Sequence, residues 1–238
     1  MYKRQAVNGP LDALKIRGNV GLLTGTEVTY VMQDSPFALQ QQENNIVTFV
    51  SFNDSTEIAE EDTLQKSSVL GMDILVNINI APTVKMGVNL SVDGKNRIDL
   101  QGGGELAYTM NTLGDSRFTG RYNLTGGFVR YNPPIISEKL FKIRDGSYVS
   151  WNGDIADPQM SITAVETVRT TISEEEKNTR QVNFDISIII KNSLENLSVS
   201  FDLSAPEDLT LQNQLTSLTA EQRASQAMSL LIYNTYTL

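Results

Sequence analysis

Apolar and polar residues alternate along four stretches of the chain, residues 70–80, 84–92, 182–188 and 197–203. In the second, Val84, Met86, Val88, Leu90 and Val92 are separated by Lys85, Gly87, Asn89 and Ser91. The third sets Val182, Phe184, Ile186 and Ile188 against Asn183, Asp185 and Ser187, and the fourth sets Val199, Phe201 and Leu203 against Ser198, Ser200 and Asp202. Side chains on a strand point to opposite faces at period two, so each stretch builds one apolar face and one wet face. The pattern predicts an all-β fold, a long antiparallel sheet that is apolar on one side. No helical run of similar length competes with it.

The rest of the chain is read the same way. Residues 14–18 and 25–31 are two strands joined by a glycine-containing turn, and 46–52 is a further β-rich run. Residues 53–68 break the pattern as an acidic loop. From 69 to 131 the chain reads as hairpins, with turns at Asp93-Gly94 and Leu113-Gly114-Asp115. Gly102-Gly103-Gly104 inside a strand marks a bulge or a close backbone approach. Pro133-Pro134 stops the ladder. Asp145-Gly146 and Asn152-Gly153 flank a short strand holding Trp151, read as a structural or rim aromatic, and two longer strands then surround the charged tip at 174–178. Only the end reads as a helix, 219–234, opened by the capping box Thr219…Gln222 and ending with no capping signal. The expected organisation is one unit over 1–238: N-terminal strands in 1–60, the acidic loop, a main sheet in 69–218, and the helix.

Composition narrows the function. With 40% apolar and 20% charged residues, a chain of 238 residues can bury a substantial core. No run reaches the roughly 18–20 apolar residues of a membrane-spanning helix. Nineteen Lys and Arg against 28 Asp and Glu give a net charge of −9, which argues against nucleic acid and against docking on anionic head groups. Cysteine and histidine are absent, which removes thiol chemistry, the usual base near neutral pH and the commonest metal ligand. Ser147 and Ser150 lie near Asp145 and Asp154 but have no base to activate them. The acidic clusters at 60–62 and 174–176 lack the ligand spacing of a calcium loop. The expectation is a protein that is not an enzyme and uses no cofactor or metal.

What the apolar faces meet decides the function. One destination is another sheet, since burying each large aliphatic side chain is worth roughly 1.5–3 kcal/mol. The other is lipid: an acyl chain of about 14 methylenes costs on the order of 11 kcal/mol to leave in water, at about 0.8 per methylene. A carrier through an aqueous compartment must offer such a chain a continuous apolar lining, and one curved sheet supplies it. A surface carbohydrate-binding β-sandwich is the third reading, and the scattered aromatics speak against it.

The residues from 84 to 234 resemble the C-terminal domain of the TamB family, the translocation and assembly module. The resemblance is carried by Gly103-Gly104-Glu105-Leu106, by the run from Phe118 through Thr119-Gly120-Arg121-Tyr122-Asn123-Leu124 to Gly126-Gly127, and by Lys139-Leu140-Phe141-Lys142-Ile143. Its most specific piece is Gly146-Ser147-Tyr148-Val149-Ser150-Trp151-Asn152-Gly153-Asp154, continued by Asp157-Pro158-Gln159-Met160. Leu203-Ser204-Ala205-Pro206 and Leu230-Leu231-Ile232-Tyr233 also fit. The resemblance implies a U-shaped periplasmic β-groove with an apolar interior, in a protein anchored in the inner membrane of a diderm bacterium. Implied partners are phospholipid acyl chains, an outer-membrane assembly barrel (TamA or a BamA-like protein) and nascent outer-membrane proteins. The family's membrane helix and long repeats are not in these residues, which reads as a fragment. The expected lining is Val84, Met86, Val88, Leu90 and Val92 with Val182, Phe184, Ile186, Ile188, Val199, Phe201 and Leu203. The alternative use of the same fold is a scaffold whose strand edges add to an incoming strand.

Overall fold

The computed structural model describes residues 2–9, 14–31, 71–91, 93–132, 138–173 and 179–236. The expectations placed on 46–52, 53–68, Val92, Pro133-Pro134 and 174–178 lie outside those residues. Among the described residues the elements run β1 (Tyr2–Asn8), β2 (Leu14–Leu22), β3 (Glu27–Val31), β4 (Met72–Asn89), β5 (Arg97–Met110) and β6 (Ser116–Tyr131). They continue with β7 (Lys139–Ile143), β8 (Tyr148–Gly153), β9 (Gln159–Ser173), β10 (Thr179–Ser193), β11 (Ser198–Ser204), α1 (Leu209–Ser217) and α2 (Ala220–Tyr233).

All the described strands belong to one sheet in the order β1-β2-β4-β5-β6-β7-β9-β10-β11, with β3 also on β4 and β8 on both β6 and β9. β7 and β8 are two halves of one lane, since β6 pairs with β7 through 128–131 and with β8 through 118–123. Ser147 bridges the break: its Oγ accepts from the Thr163 N–H at 3.1 Å and its carbonyl accepts from the Leu124 N–H at 3.0 Å. β2 and β3 likewise share one lane, both parallel to β4. That corrects one expectation: the sheet is mixed rather than wholly antiparallel. The two strands joined by a glycine-containing turn are present, with the turn at Thr24-Gly25. The stretch between Val31 and Met72 is long enough for the crossover a parallel pair requires.

The alternating stretches 70–80 and 84–92 merge into the single long strand β4. Its register against β5 shifts between Ile80 and Val84, where Pro82 sits and a missing N–H does least harm. Across from this jog lies the glycine triplet of β5, with its own register shift against β6 at Gln101/Gly102. A Cβ at Gly103 would stand 2.6 Å from the Ile80 carbonyl, so only glycine lets the strands approach there. The bulge read from the triplet is present.

The sheet curls back on itself. β6 and β11 are four lanes apart, about 19 Å on a flat sheet, yet the rings of Tyr131 and Phe201 lie 5.6 Å apart. The concave face carries a continuous apolar core from Ile80 on β4 to Leu203 on β11. Among the described residues two helices, rather than the single one expected, pack onto it. α1 opens at Asp208, whose Oδ1 accepts from the Leu211 N–H at 3.1 Å. α2 has the expected capping box, with Thr219 Oγ1 accepting from the Gln222 N–H and Gln222 Oε1 accepting from the Thr219 N–H. It is also capped at its C-terminus, against expectation: Asn234 adopts the left-handed conformation at φ 53° and donates its N–H to the Leu230 carbonyl.

Candidate functional site

The concave face divides into an open half and a covered half. In the open half, Val84, Met86 and Val88 of β4 stand beside Leu100 and Leu106 of β5 and, with Phe118 of β6, line one wall of a cavity of about 320 Å³. Its far wall is Trp151 and Met160, followed by Leu194 from the turn after β10. The mouth is apolar as well: Val28 and Tyr30 of β3 and Ile155 of the β8–β9 loop line the cavity while 46%, 47% and 61% exposed.

The segment that carries the family resemblance builds this end of the concave face. Trp151 meets Phe118 edge-on at 5.5 Å and donates its indole N–H to the Ile155 carbonyl at 3.1 Å, fixing the loop over the cavity. Asp154 accepts from the Ala156 N–H at 2.7 Å, and Asp157 accepts from the Glu195 N–H at 2.9 Å. The Pro158 carbonyl accepts from the Leu194 N–H at 2.9 Å, so the loop is pinned to the neighbouring turn. These carboxylates and Ser147 are spent on backbone groups. On the convex side of the same strand, the Arg121 guanidinium lies 3.9 Å from the centre of the Tyr148 ring.

Tyr122 spans the floor of the concave face. It reaches across β5 at the glycine triplet and donates its hydroxyl to the Val84 carbonyl at 2.7 Å. Burial pushes its phenol up to about 12.

The other half of the expected lining is sealed. Val182, Phe184, Ile186, Ile188, Phe201 and Leu203 all belong to the buried core, and Val199 packs partly buried against it. Tyr236 lies on Phe184 with ring centres 4.8 Å apart, and Thr170 donates its hydroxyl to the Asn234 carbonyl at 2.6 Å. Leu211, Leu215, Ala227, Leu230 and Leu231 add the helices' apolar faces to that core. The cover is latched at its edge by Arg223 to Asp202 at 2.6 Å and by Arg180 to Asp208. Leu90 is fully buried beyond the end of β4. The described members of the expected row thus share the concave face, and among them only Val84, Met86 and Val88 line the cavity. Ile190, Leu100, Leu106 and Met160 belong to the same face by the same period-two signal and were not in the expected row.

The row is not wholly apolar. Lys139 and Glu166 form an ion pair at 3.6 Å among these concave side chains. Burial raises the Glu166 carboxyl above its ordinary value, against the opposing pull of Lys139.

Fold and site together define one large curled sheet whose apolar concave face lines a cavity in one part and is covered by two helices in another. Residues 5–237 match the family described as the TamB C-terminal domain, and the chain belongs to that family. Membership implies involvement in outer-membrane protein assembly and envelope transport, as a transport or assembly component that works with the outer-membrane assembly machinery. It also implies a place in the cell envelope; no helix among the described residues is long and apolar enough to cross a membrane. A comparison with curated proteins found no match.

Proposed function

We propose that the groove takes up phospholipid acyl chains and conducts them between the inner and outer membranes, as part of a protein anchored in the inner membrane and partnered by TamA or a BamA-like barrel. The observation that carries this reading is the apolar cavity with an apolar, solvent-facing mouth at Val28, Tyr30 and Ile155. An ordinary core buries such residues; a conduit must leave them at its opening. The volume, about 320 Å³, equals roughly ten water-sized volumes at about 30 Å³ each. That admits a stretch of one acyl chain and leaves the rest of a lipid at the mouth. Burying about 14 methylenes is worth on the order of 11 kcal/mol, enough to draw a chain from water without any specific polar contact.

Binding of a fluorescent long-chain fatty acid tests the reading. Met86→Asp places a charge in the open cavity and is expected to weaken binding about tenfold or more. Ser200→Asp, on the exposed convex side of β11, is expected to leave it unchanged. Equal affinity in a folded Met86→Asp protein would sink the proposal.

A second reading is supported by β3, which among the described residues pairs only with β4 and carries exposed Val28, Tyr30 and Val31. Such an edge suits addition of a strand from an outer-membrane protein. Crosslinks from Thr29 to an incoming polypeptide, with none to lipid from Met86, would favour it.

A further inference from the structure

The apolar row of the concave face does not stop at the cavity. Leu22, Ile78 and Leu106 belong to the cavity lining, and the strand register carries their row outward. Val20 pairs with Ile78, Ile16 with Ile74, Tyr108 with Val76 and Met110 with Ile74. Side chains two apart on a strand share a face. Ile16 and Val20 of β2, Ile74 and Val76 of β4, and Tyr108 and Met110 of β5 therefore extend the lining as a shelf three lanes wide. Ile16, Val20, Ile74, Val76 and Tyr108 are half-buried, so the shelf is accessible where the helix-covered half is not. The polar residues of the same strands sit on the opposite face: Arg17 pairs with Asp73 at 2.8 Å, and Asn77 donates to Asn19 at 3.2 Å.

Length and chemistry both select the occupant. From Ile78 to Met72 the shelf runs along β4 for about 20 Å, at about 3.3 Å per residue. One acyl chain spans half of the roughly 30 Å hydrocarbon core of a bilayer, about 15 Å, and fits along it. A polypeptide laid on this face would find almost no side-chain partners for its backbone N–H and C=O groups. The shelf is apolar apart from the Tyr108 hydroxyl, which is turned to Met110 Sδ at 3.8 Å. An acyl chain needs no such partner. The cavity, at about 320 Å³, holds a stretch of one chain, so a lipid with two chains requires a second apolar place beside it. The shelf adjoins the cavity at Leu22 and Ile78 and supplies that place.

We propose that cavity and shelf together form a site for a two-chain lipid: one acyl chain enters the cavity, the other lies along the shelf, and the site selects diacyl over single-chain lipids. This rests on the lipid-conducting reading above and adds to it a substrate class. A single-chain lipid fills the cavity and leaves the shelf wet; a diacyl lipid covers both.

The test compares a soluble short-chain diacyl phosphatidylcholine with the single-chain lysophosphatidylcholine of the same chain length, bound to the full chain. Trp151, the only tryptophan of the sequence, lines the cavity, so its fluorescence follows occupancy. The wild type is expected to prefer the diacyl lipid by about tenfold or more. Val76→Asp and, on the neighbouring lane, Ile16→Asp place a charge on the shelf; each is expected to lose that preference and to bind the lyso lipid as the wild type does. A diacyl lipid with a photoreactive group on one chain, added to the wild type, is expected to label residues 74–76 as well as 86–88, a readout that needs no variant to fold. Equal affinities in the wild type, labelling confined to the cavity, or a preference that survives in the folded shelf variants overturns the proposal and leaves the cavity reading standing. Loss of lyso binding together with the preference in folded shelf variants also overturns it, since the shelf would then belong to a one-chain site. A wild type that takes up neither lipid refutes the groove reading itself.

Discussion

Tyr122 holds β4 to β6 over a strand that has no side chains at the crossing point, through the hydrogen bond from its hydroxyl to the Val84 carbonyl. Tyr122→Phe leaves the Val84 carbonyl without this donor and is expected to cost about 1–2 kcal/mol, read from the urea midpoint. The pH dependence has a definite sign. The folded phenol ionises near 12 rather than at its ordinary 10.0, so the folded state holds this proton more tightly. The associated stability is complete below about pH 10 and is lost as pH rises toward 12. An alkaline unfolding titration is expected to flatten in that window for Tyr122→Phe. Binding of an alkyl probe in the open cavity is expected to persist, because the ring remains. At this scale the chain was partly legible: the glycine triplet announced a close approach, but nothing local revealed which tyrosine would cross it. Glu166 was missed because its neighbours Ala164 and Val168 belong to a β-rich run that hides one acidic residue.

Among the elements, those with strong periodicity were readable and those set by distant partners were not. β4 and β10 alternate over enough residues that register and inward face follow from sequence. The direction of β2 and β3 depends on a crossover outside either strand, so a parallel lane resembles a hairpin arm until the pairing is seen. α1 was passed over because its nine residues hold only two buried leucines, Leu211 and Leu215; Asp208 ahead of them was the available signal. α2 was found through its capping box. Thr219→Ala removes the side-chain half of that box and is expected to cost about 1 kcal/mol, seen as a lowered midpoint and frayed helical signal in circular dichroism. Since α2 seals only one half of the concave face, this loss is expected to leave fatty-acid binding at the open cavity intact.

For the molecule as a whole, curvature brings an alternating sheet back over its own apolar face, and alternation alone does not distinguish a curled sheet from two stacked ones. The expected lining was a single row of equivalent positions. In the folded chain it is two environments, Met86 and Val88 at the open cavity and Ile186 under neighbouring strands and helices. That difference makes photo-crosslinking the direct measurement. A photoreactive residue is placed at Met86 or at Ile186 of the protein expressed in the cell envelope, and the adducts are identified by mass spectrometry. A lipid-conducting groove yields phospholipid adducts at Met86 and mainly contacts within the chain at Ile186. Adducts at Met86 that contain only the chain itself would mean that the cavity is closed core, and the conducting function would be contradicted.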